Sequence, residues 1–537
     1  MNPLYLAALA ALVVLPPSSQ QEAYRIAGTV VDGSSGRPLA RIRLGLASTR
    51  ARDREVTAVT GPDGRFRFDG LEAGKYDLTA DQPNGVRIPY GQTSSFPISI
   101  VTGAGLHSEN IVFRLFPPAA IHGRVTDPEG DPIEDALVQL FRSAVVRGQS
   151  RVFYYRSHRT NDLGEYRFGS LPVGTYYILA TGRPWYSARV GLGDDTPELS
   201  RLSYAPTFYP NAREARAAAP LRVRGGEDVA ADLSMNLLPA SKLALAIGSP
   251  DAAQPVETPG HRILRRQGPA VRVDVTFEGP NNSIGWERVE TAFGQAELPG
   301  IPPGKYTVRV STSDPAKPLY GRESVVVGAA ETRMQVALAP PPTVTGKLRM
   351  EGSDLAIPRG TLIELENDVE NRHIRRPIAA DGSFSFEGLP PGEYTPLLMS
   401  PTAPIRLQTV ALEGIASKSL WVEIDRSAQL DLKAVAKAGE VSGYVYRRGE
   451  AQPGVLVVLA PQDDSSNPYD YLAFQTDSDG SFVLTGVTAG DYILFAVEDF
   501  ADFEYANPAA VRPHLSSGQR VHVANNQVQT VSLQLPD

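Results

Sequence analysis

The stretch Gly382-Ser-Phe-Ser-Phe-Glu-Gly-Leu-Pro-Pro-Gly-Glu-Tyr394 decides the fold, because its skeleton returns along the whole 537-residue chain. Written G-x-F-x-F-x-x-L-x-x-G-x-Y, it recurs as Gly64-x-Phe66-x-Phe68-x-x-Leu71-x-x-Gly74-x-Tyr76 and as Gly164-x-Tyr166-x-Phe168-x-x-Leu171-x-x-Gly174-x-Tyr176. A third relative is Gly480-x-Phe482-x-Leu484-x-x-Val487-x-x-Gly490-x-Tyr492, and a degenerate one is Gly294-x-Ala296-x-Leu298-x-x-Ile301-x-x-Gly304-x-Tyr306. No gap slips by a residue in any copy. Residues two apart on an extended strand share a face, so Phe384 and Phe386 point one way while Ser383 and Ser385 point the other. Asp381-Gly382 before them supplies the positive φ of a tight turn. The second glycine, Gly392, is expected to make the next reversal, after which Tyr394 opens the returning strand. A tyrosine at such a corner buries its ring and returns its hydroxyl to nearby backbone.

Two rings, a leucine and a tyrosine are too little apolar surface to order a module of this size, so a second sheet has to complete each core. Alternating strands upstream of the motif supply it: Ile26 to Val30, Ile121 to Val125, Val344 to Leu348 and Val441 to Val445, each with a central glycine. After each comes a proline turn (Pro38, Pro132, Pro358, Pro453) and a further alternating strand. The degenerate copy has Ala296 where the others carry an aromatic, and Trp286 is a candidate to fill that volume.

The chain is therefore read as all-β, a tandem array of about five immunoglobulin-like or prealbumin-like antiparallel sandwiches. The length is too great for one core and fits about four to six domains. The modules are expected at 23–116, 117–239, 240–340, 341–435 and 436–537, separated by proline-rich junctions such as Pro340-Pro341-Pro342. The second carries a long excursion at 181–220, with a short helix expected near Arg213 to Ala219. Separate cores predict separate melting, with Phe384→Ala unfolding the fourth module alone.

Residues 1–22 hold an apolar run from Leu4 to Leu15 of signal-peptide length, too short to span a bilayer. No later apolar run reaches spanning length. The mature chain is thus expected beyond the inner membrane, in the periplasm, at the cell surface or outside the cell. The absence of cysteine removes disulfides and thiolate chemistry. A formal charge of −8 with a pI near 5.6 leaves no basic excess for phosphates, which argues against nucleic acid.

The combination of G-x-V near the start of a module, a proline turn, D-x-G-x-F-x-F and L-P-x-G-x-Y resembles the carboxypeptidase regulatory-like domain, which is related to transthyretin-like and collagen-adhesin B-type sandwiches. Modules one, two, four and five carry the resemblance, and module three shows it in the motif only. The segment Tyr204-Ala-Pro206-Thr-Phe208-Tyr209-Pro210 is similar to one in secreted bacterial proteins built of several such domains. The resemblance implies a β-sandwich, a fold that serves as stabiliser, stalk or binding module.

Searching for chemistry returns little. A metallocarboxypeptidase would need H-x-x-E, yet the residues three after the seven histidines are Asn110, Val125, Asn161, Leu264, Arg376, Ser517 and Asn525. Gly74-Lys75 and Gly304-Lys305 sit inside the hairpin motif and lack the spacing of a phosphate loop. Asp477-Ser-Asp479-Gly480 lacks the later carboxylates of a calcium loop. Lys347 is the first-strand lysine that an isopeptide crosslink of the adhesin type would require, and modules one, two and five have none there.

Two ring clusters remain. Trp185, Tyr186, Tyr204, Phe208 and Tyr209 form either a stacking platform for a sugar or peptide or a cover over an open sheet edge. Around Asp499, Phe500, Asp502, Phe503, Glu504 and Tyr505, acids interleave with rings in a pattern suited to a cation or carbohydrate. The leading functional reading is an exported, non-enzymatic scaffold for binding or adhesion with a protein or glycan ligand and no cofactor. The alternatives are an accessory protein of polysaccharide or peptide breakdown and a hydrolase with a carboxylate pair.

Overall fold

The computed structural model of the chain describes residues 23–536 apart from 83–85, 94–95, 185–201, 249–269, 279–282, 352–355, 368–371, 402–404, 437–438 and the single positions 293, 315, 317, 464 and 466. The expected signal peptide, and with it Trp185 and Tyr186, lies outside the described residues. The strands fall into pairs of facing sheets in chain order, and the chain is a tandem array of β-sandwiches. By contacts it divides into two compact units. One is the first sandwich apart from 32–37 and 91–98, and the other contains the four later sandwiches.

The fourth sandwich shows the plan. Its first strand, Val344–Met350, runs antiparallel to the motif strand Ser383–Phe386 on one side and parallel to the closing strand Ala428–Val435 on the other. The facing sheet places Leu362–Asn367 between Arg372–Pro377 and Gly392–Met399, with Val422–Ile424 beyond. Leu348, Leu365, Phe384, Phe386, Tyr394 and Leu430 fill the space between them. The same parallel closure pairs Ser241–Gly248 with Thr332–Ala337 and Gly439–Arg447 with Val528–Gln534.

The central glycine of the first strand has a steric cause. A Cβ built at Gly28, Gly123, Gly346 or Gly443 would sit 2.1, 2.3, 2.0 or 1.8 Å from a carbonyl oxygen of the closing strand. Each of these glycines also pairs directly with the first aromatic of the motif: Gly28 with Phe66, Gly123 with Tyr166, Gly346 with Phe384 and Gly443 with Phe482. The ring thus lies over a position without a side chain. In the third sandwich the cross-strand pair is Leu245 with Ala296, both buried. The leucine stands where the glycine would be and occupies the volume that the missing aromatic vacates, so the bulk comes from the paired strand; Trp286 lies outside the described side chains.

All five tyrosine corners close in one way. The hydroxyls of Tyr76, Tyr176, Tyr306, Tyr394 and Tyr492 donate to the carbonyl four residues upstream, on Glu72, Pro172, Pro302, Pro390 and Thr488, at 2.7–3.1 Å. Burial pushes the Tyr176 phenol up to about 12. The reversal before the corner differs from expectation. Positive φ occurs at Gly70, Ser170, Gly300, Gly388 and Gly486, one residue before the motif's Leu, Ile or Val, and not at the second glycine. The turn glycines Gly64, Gly164, Gly294, Gly382 and Gly480 do adopt it.

A further repeated device is a buried threonine four residues before the turn glycine. Thr60, Thr160 and Thr476 each donate to a carbonyl of the proline turn (Leu39, Ile133, Gln452) and accept from the next strand's first amides (Ile42, Ala136, Val455) at 2.6–2.9 Å. In the excursion a single 3-10 turn, Ala215–Ala217, stands where a helix was expected. An α-helix occurs instead at Pro508–Leu515, capped by Asn507, whose side chain accepts from the amide of Ala509 at 3.1 Å.

Candidate functional site

From residue 202 on, the excursion of the second sandwich folds down on its own domain. Thr207–Phe208 and Leu221–Val223 both pair with Gly174–Thr181, extending that edge of the sheet. Phe208 is fully buried with Phe141 and Leu179, under Ala212, Ala215 and Ala218. Tyr204 is buried in the main core, against which the half-buried Tyr209 also packs. Burial leaves Tyr204 and Phe208 no open ring face, so both serve as cover for the sheet.

The rings of 500–505 are packing as well. Phe500 is buried with Leu456, Ile493, Phe495 and Val511, and helix Pro508–Leu515 lies over the same outer sheet face. His514 stacks on Phe495 at 5.0 Å between centroids, and Phe503 meets both rings edge-on. Asp499 and Asp502 stay in solvent. No cluster of three or more His, Asp or Glu suited to a metal occurs among the described residues.

A polar concavity of about 470 Å³ lies on the first-strand sheet of the second sandwich, lined by His122, Arg124, His158, Glu165, Arg167 and Asp232. At its rim His122 Nδ1 is 2.7 Å from Asp228 Oδ1, and Arg167 donates to both oxygens of the same carboxylate at 2.8 and 3.0 Å. The hydrogen bond from Arg167, seconded by His122, holds the Asp228 carboxyl below its usual range. A His-Asp pair needs a nucleophile to become hydrolytic. The lining hydroxyl, that of Tyr166, is committed to the carbonyl of Ala231. The ion pairs at the rim are those of His122 and Arg167 with Asp228.

The largest departure from a string of separate modules is a hairpin of the second sandwich. Its strands, Leu137–Val146 and Gln149–Arg159, carry a tip that inserts between the fourth and fifth sandwiches. Arg147 Nη2 is 3.0 Å from Glu366, and the carbonyl of Gly148 accepts from the amide of Ala506 at 2.9 Å. Arg151, whose side chain is only 8% exposed, pairs with Glu393 and lies 5.0 Å above the Trp421 ring. Gly148 has φ +85°, and a Cβ there would meet Ala506 and Tyr505 at 2.7 Å, so the contact requires this glycine. Burial raises the Tyr505 phenol to about 12.

The fourth and fifth sandwiches are joined directly. Arg406 donates to the carbonyls of Gly486, at 2.8 Å, and Tyr469. Asn467 Nδ2 donates to the Gln408 carbonyl at 2.8 Å, and Tyr469 packs on the core of the fourth sandwich. Burial pulls the Arg406 guanidinium below its ordinary pKa, an effect that the Tyr492 and Asp470 side chains oppose. Arg322 of the third sandwich pairs with Glu423 of the fourth. Sequence reading had no means of finding these residues, since an arginine that crosses to another domain looks like one on a solvated strand.

Comparison with known proteins matches part of the chain to a domain family. The family model described as the carboxypeptidase regulatory-like domain matches residues 25–93 and 120–198, in the first two sandwiches. A comparison with curated proteins found no match. Among solved structures, the TIE protein of Bacillus anthracis is similar at 11% identity over 78% of this chain and 75% of that one, with a TM-score of 0.17. BcpA, the major pilin subunit of Bacillus cereus, shows 10% identity over 77% and 100%, TM-score 0.14. The full-length major pilin RrgB of Streptococcus pneumoniae shows 10% over 79% and 100%, TM-score 0.13.

Proposed function

We propose that this chain, whose first two sandwiches are carboxypeptidase regulatory-like domains, is an exported, non-enzymatic scaffold that holds binding surfaces in fixed relation at the cell surface or in the periplasm. The observation that carries the reading is the insertion of the 145–151 hairpin between the fourth and fifth sandwiches. An array that needed only reach would leave its modules separate, whereas this one commits a poorly exposed arginine, a glycine in the left-handed region and a tryptophan to holding three of them together. The leader reading of 1–22 supports export. At the polar concavity the His122 and Arg167 side chains are paired with Asp228 and the tyrosine hydroxyl is already engaged, which supports a non-catalytic role.

The test is fractionation of cells that make the tagged full chain, combined with protease shaving of intact cells and incubation of the purified protein with peptide and glycan substrates. Recovery outside the cytoplasm with no substrate turnover supports the reading. Retention in the cytoplasm, or turnover of any substrate, contradicts it.

A further inference from the structure

The outward side of the first-strand sheet can be compared from one sandwich to the next, because the repeat fixes which positions face out. In the first it carries Arg25 and Arg67 around Asp69. In the second it carries His122 and Arg167 around Asp228. The third has Lys242 at 3.0 Å from Glu297, and the fourth places Lys347, Arg349 and Lys433 beside Asp431 and Glu351.

The fifth departs from this pattern. Cross-strand register puts Ser442 between Val483 and Thr530, Tyr444 between Ser481 and Ser532, and Tyr446 between Ala451 and Gln534. These three rows hold no carboxylate, amine or guanidinium; the next row on the same face brings Glu440, between Thr485 and Val528. The Tyr444 and Tyr446 rings are stacked, with centroids 6.1 Å apart and planes 28° from parallel, and Tyr444 is 42% exposed. Among the described residues neither phenol has a hydrogen-bond partner. A strand that packs its other face tightly, through Val441, Gly443 and Val445, thus turns two adjacent rings toward solvent in a bed of hydroxyls and one amide.

We infer that this face of the fifth sandwich is a binding platform for a neutral polysaccharide. The C–H face of a pyranose is drawn to the electron-rich face of an aromatic ring. Its hydroxyls exchange water for Ser442, Thr530, Ser532 and Gln534, and the absence of charge from these three rows spares both partners the desolvation of an ion. Nucleic acid and anionic membrane would need the cations that this face lacks. The platform is separate from the ring cluster of 204–209 and stands whether or not the body is a scaffold.

The experiment is affinity electrophoresis of the full chain through gels containing laminarin, xylan, galactomannan or hydroxyethyl cellulose, with sedimentation on microcrystalline cellulose and chitin. The variants are Tyr444→Ala, Tyr446→Ala, Tyr444→Phe and, as an exposed-tyrosine control on the second sandwich, Tyr154→Ala. Retention by at least one neutral polymer is expected, weakened about tenfold or more by either alanine at 444 or 446. Tyr444→Phe and Tyr154→Ala should bind like the parent. Thermal melting checks each fold, and Tyr444→Thr replaces Tyr444→Ala if the latter fails it. The inference is overturned by retention on none of these polymers, or by retention that the alanines leave unchanged.

Discussion

At Gly443 the Val531 carbonyl oxygen comes to 1.8 Å from where a Cβ would stand, and the Phe482 side chain pairs across the same position. Gly443→Ala must therefore push the closing strand away from the first strand. It should cost about 3 kcal/mol, at the upper end for overpacking, measured by chemical unfolding of the full chain. The third sandwich supplies the natural control, since it exchanges the two sizes across the pair as Leu245 and Ala296. Thr160→Val tests the second residue-scale device. It leaves the Ile133 carbonyl and Ala136 amide buried without partners and should destabilise by about 2 kcal/mol, whereas Thr→Val on an exposed strand position such as Thr530 should be near neutral. The glycines and rings were legible in sequence because their spacing repeats. The reason for the first-strand glycine was not, because the carbonyl that excludes a side chain arrives from a segment 83 to 108 residues later. Thr60, Thr160 and Thr476 were within reach: each stands four residues before a turn glycine, a recurrence hidden by the fourth sandwich, which has Ile378 there.

Among the elements, the strand Leu362–Asn367 carries a buried carboxylate whose side chain is 4% exposed. Glu364 accepts from Arg375 at 2.5 Å and lies 2.6 Å from His373 Nδ1. The Arg375 hydrogen bond holds the Glu364 pKa below its ordinary 4.5 against the opposing effect of burial, with His373 adding to the lowering. A depressed carboxylate contributes stability that is complete above the unfolded value and is lost as pH falls through the folded one. Acidification below about 4.5 should therefore weaken the fourth sandwich. Glu364→Gln should be less stable than the parent at pH 7 by about 1–3 kcal/mol, with the gap closing as pH drops. A gap that does not change with pH would contradict the assignment. Strand order and corner were readable from period and punctuation, including the Asp-Gly turns. The helix Pro508–Leu515 escaped notice although Asn507-Pro508 is a capping signal, because the acidic and aromatic run before it drew the reading toward a ligand site. Of the excursion at 181–220, for which the rings allow either a platform or a cover, Phe208 is buried beside the sheet edge, while Trp185 and Tyr186 lie outside the described residues.

For the whole molecule, the sequence argued for modules that melt one by one, and the contacts among the second, fourth and fifth sandwiches change that expectation. Phe384→Ala should lower the unfolding transition of the fifth sandwich along with that of the fourth, since Arg406 and Tyr469 bind the two together. Arg151→Ala removes the ion pair to Glu393 and uncovers Trp421, so it should cost about 3 kcal/mol and make the hairpin tip a site of protease cleavage. No periodicity could have foretold these contacts: Arg147, Gly148 and Arg151 meet partners more than two hundred residues away. The absence of cysteine allows the central claim to be tested directly in the full chain. Arg147→Cys and Glu366→Cys, introduced together and treated in dilute solution with a short bismaleimide, should join within one molecule in nearly every copy, read as a crosslinked peptide by mass spectrometry. Either thiol alone should give nothing. Crosslinks found only between molecules, or none at all, would mean that the hairpin does not sit between the fourth and fifth sandwiches, and the scaffold reading would lose its support.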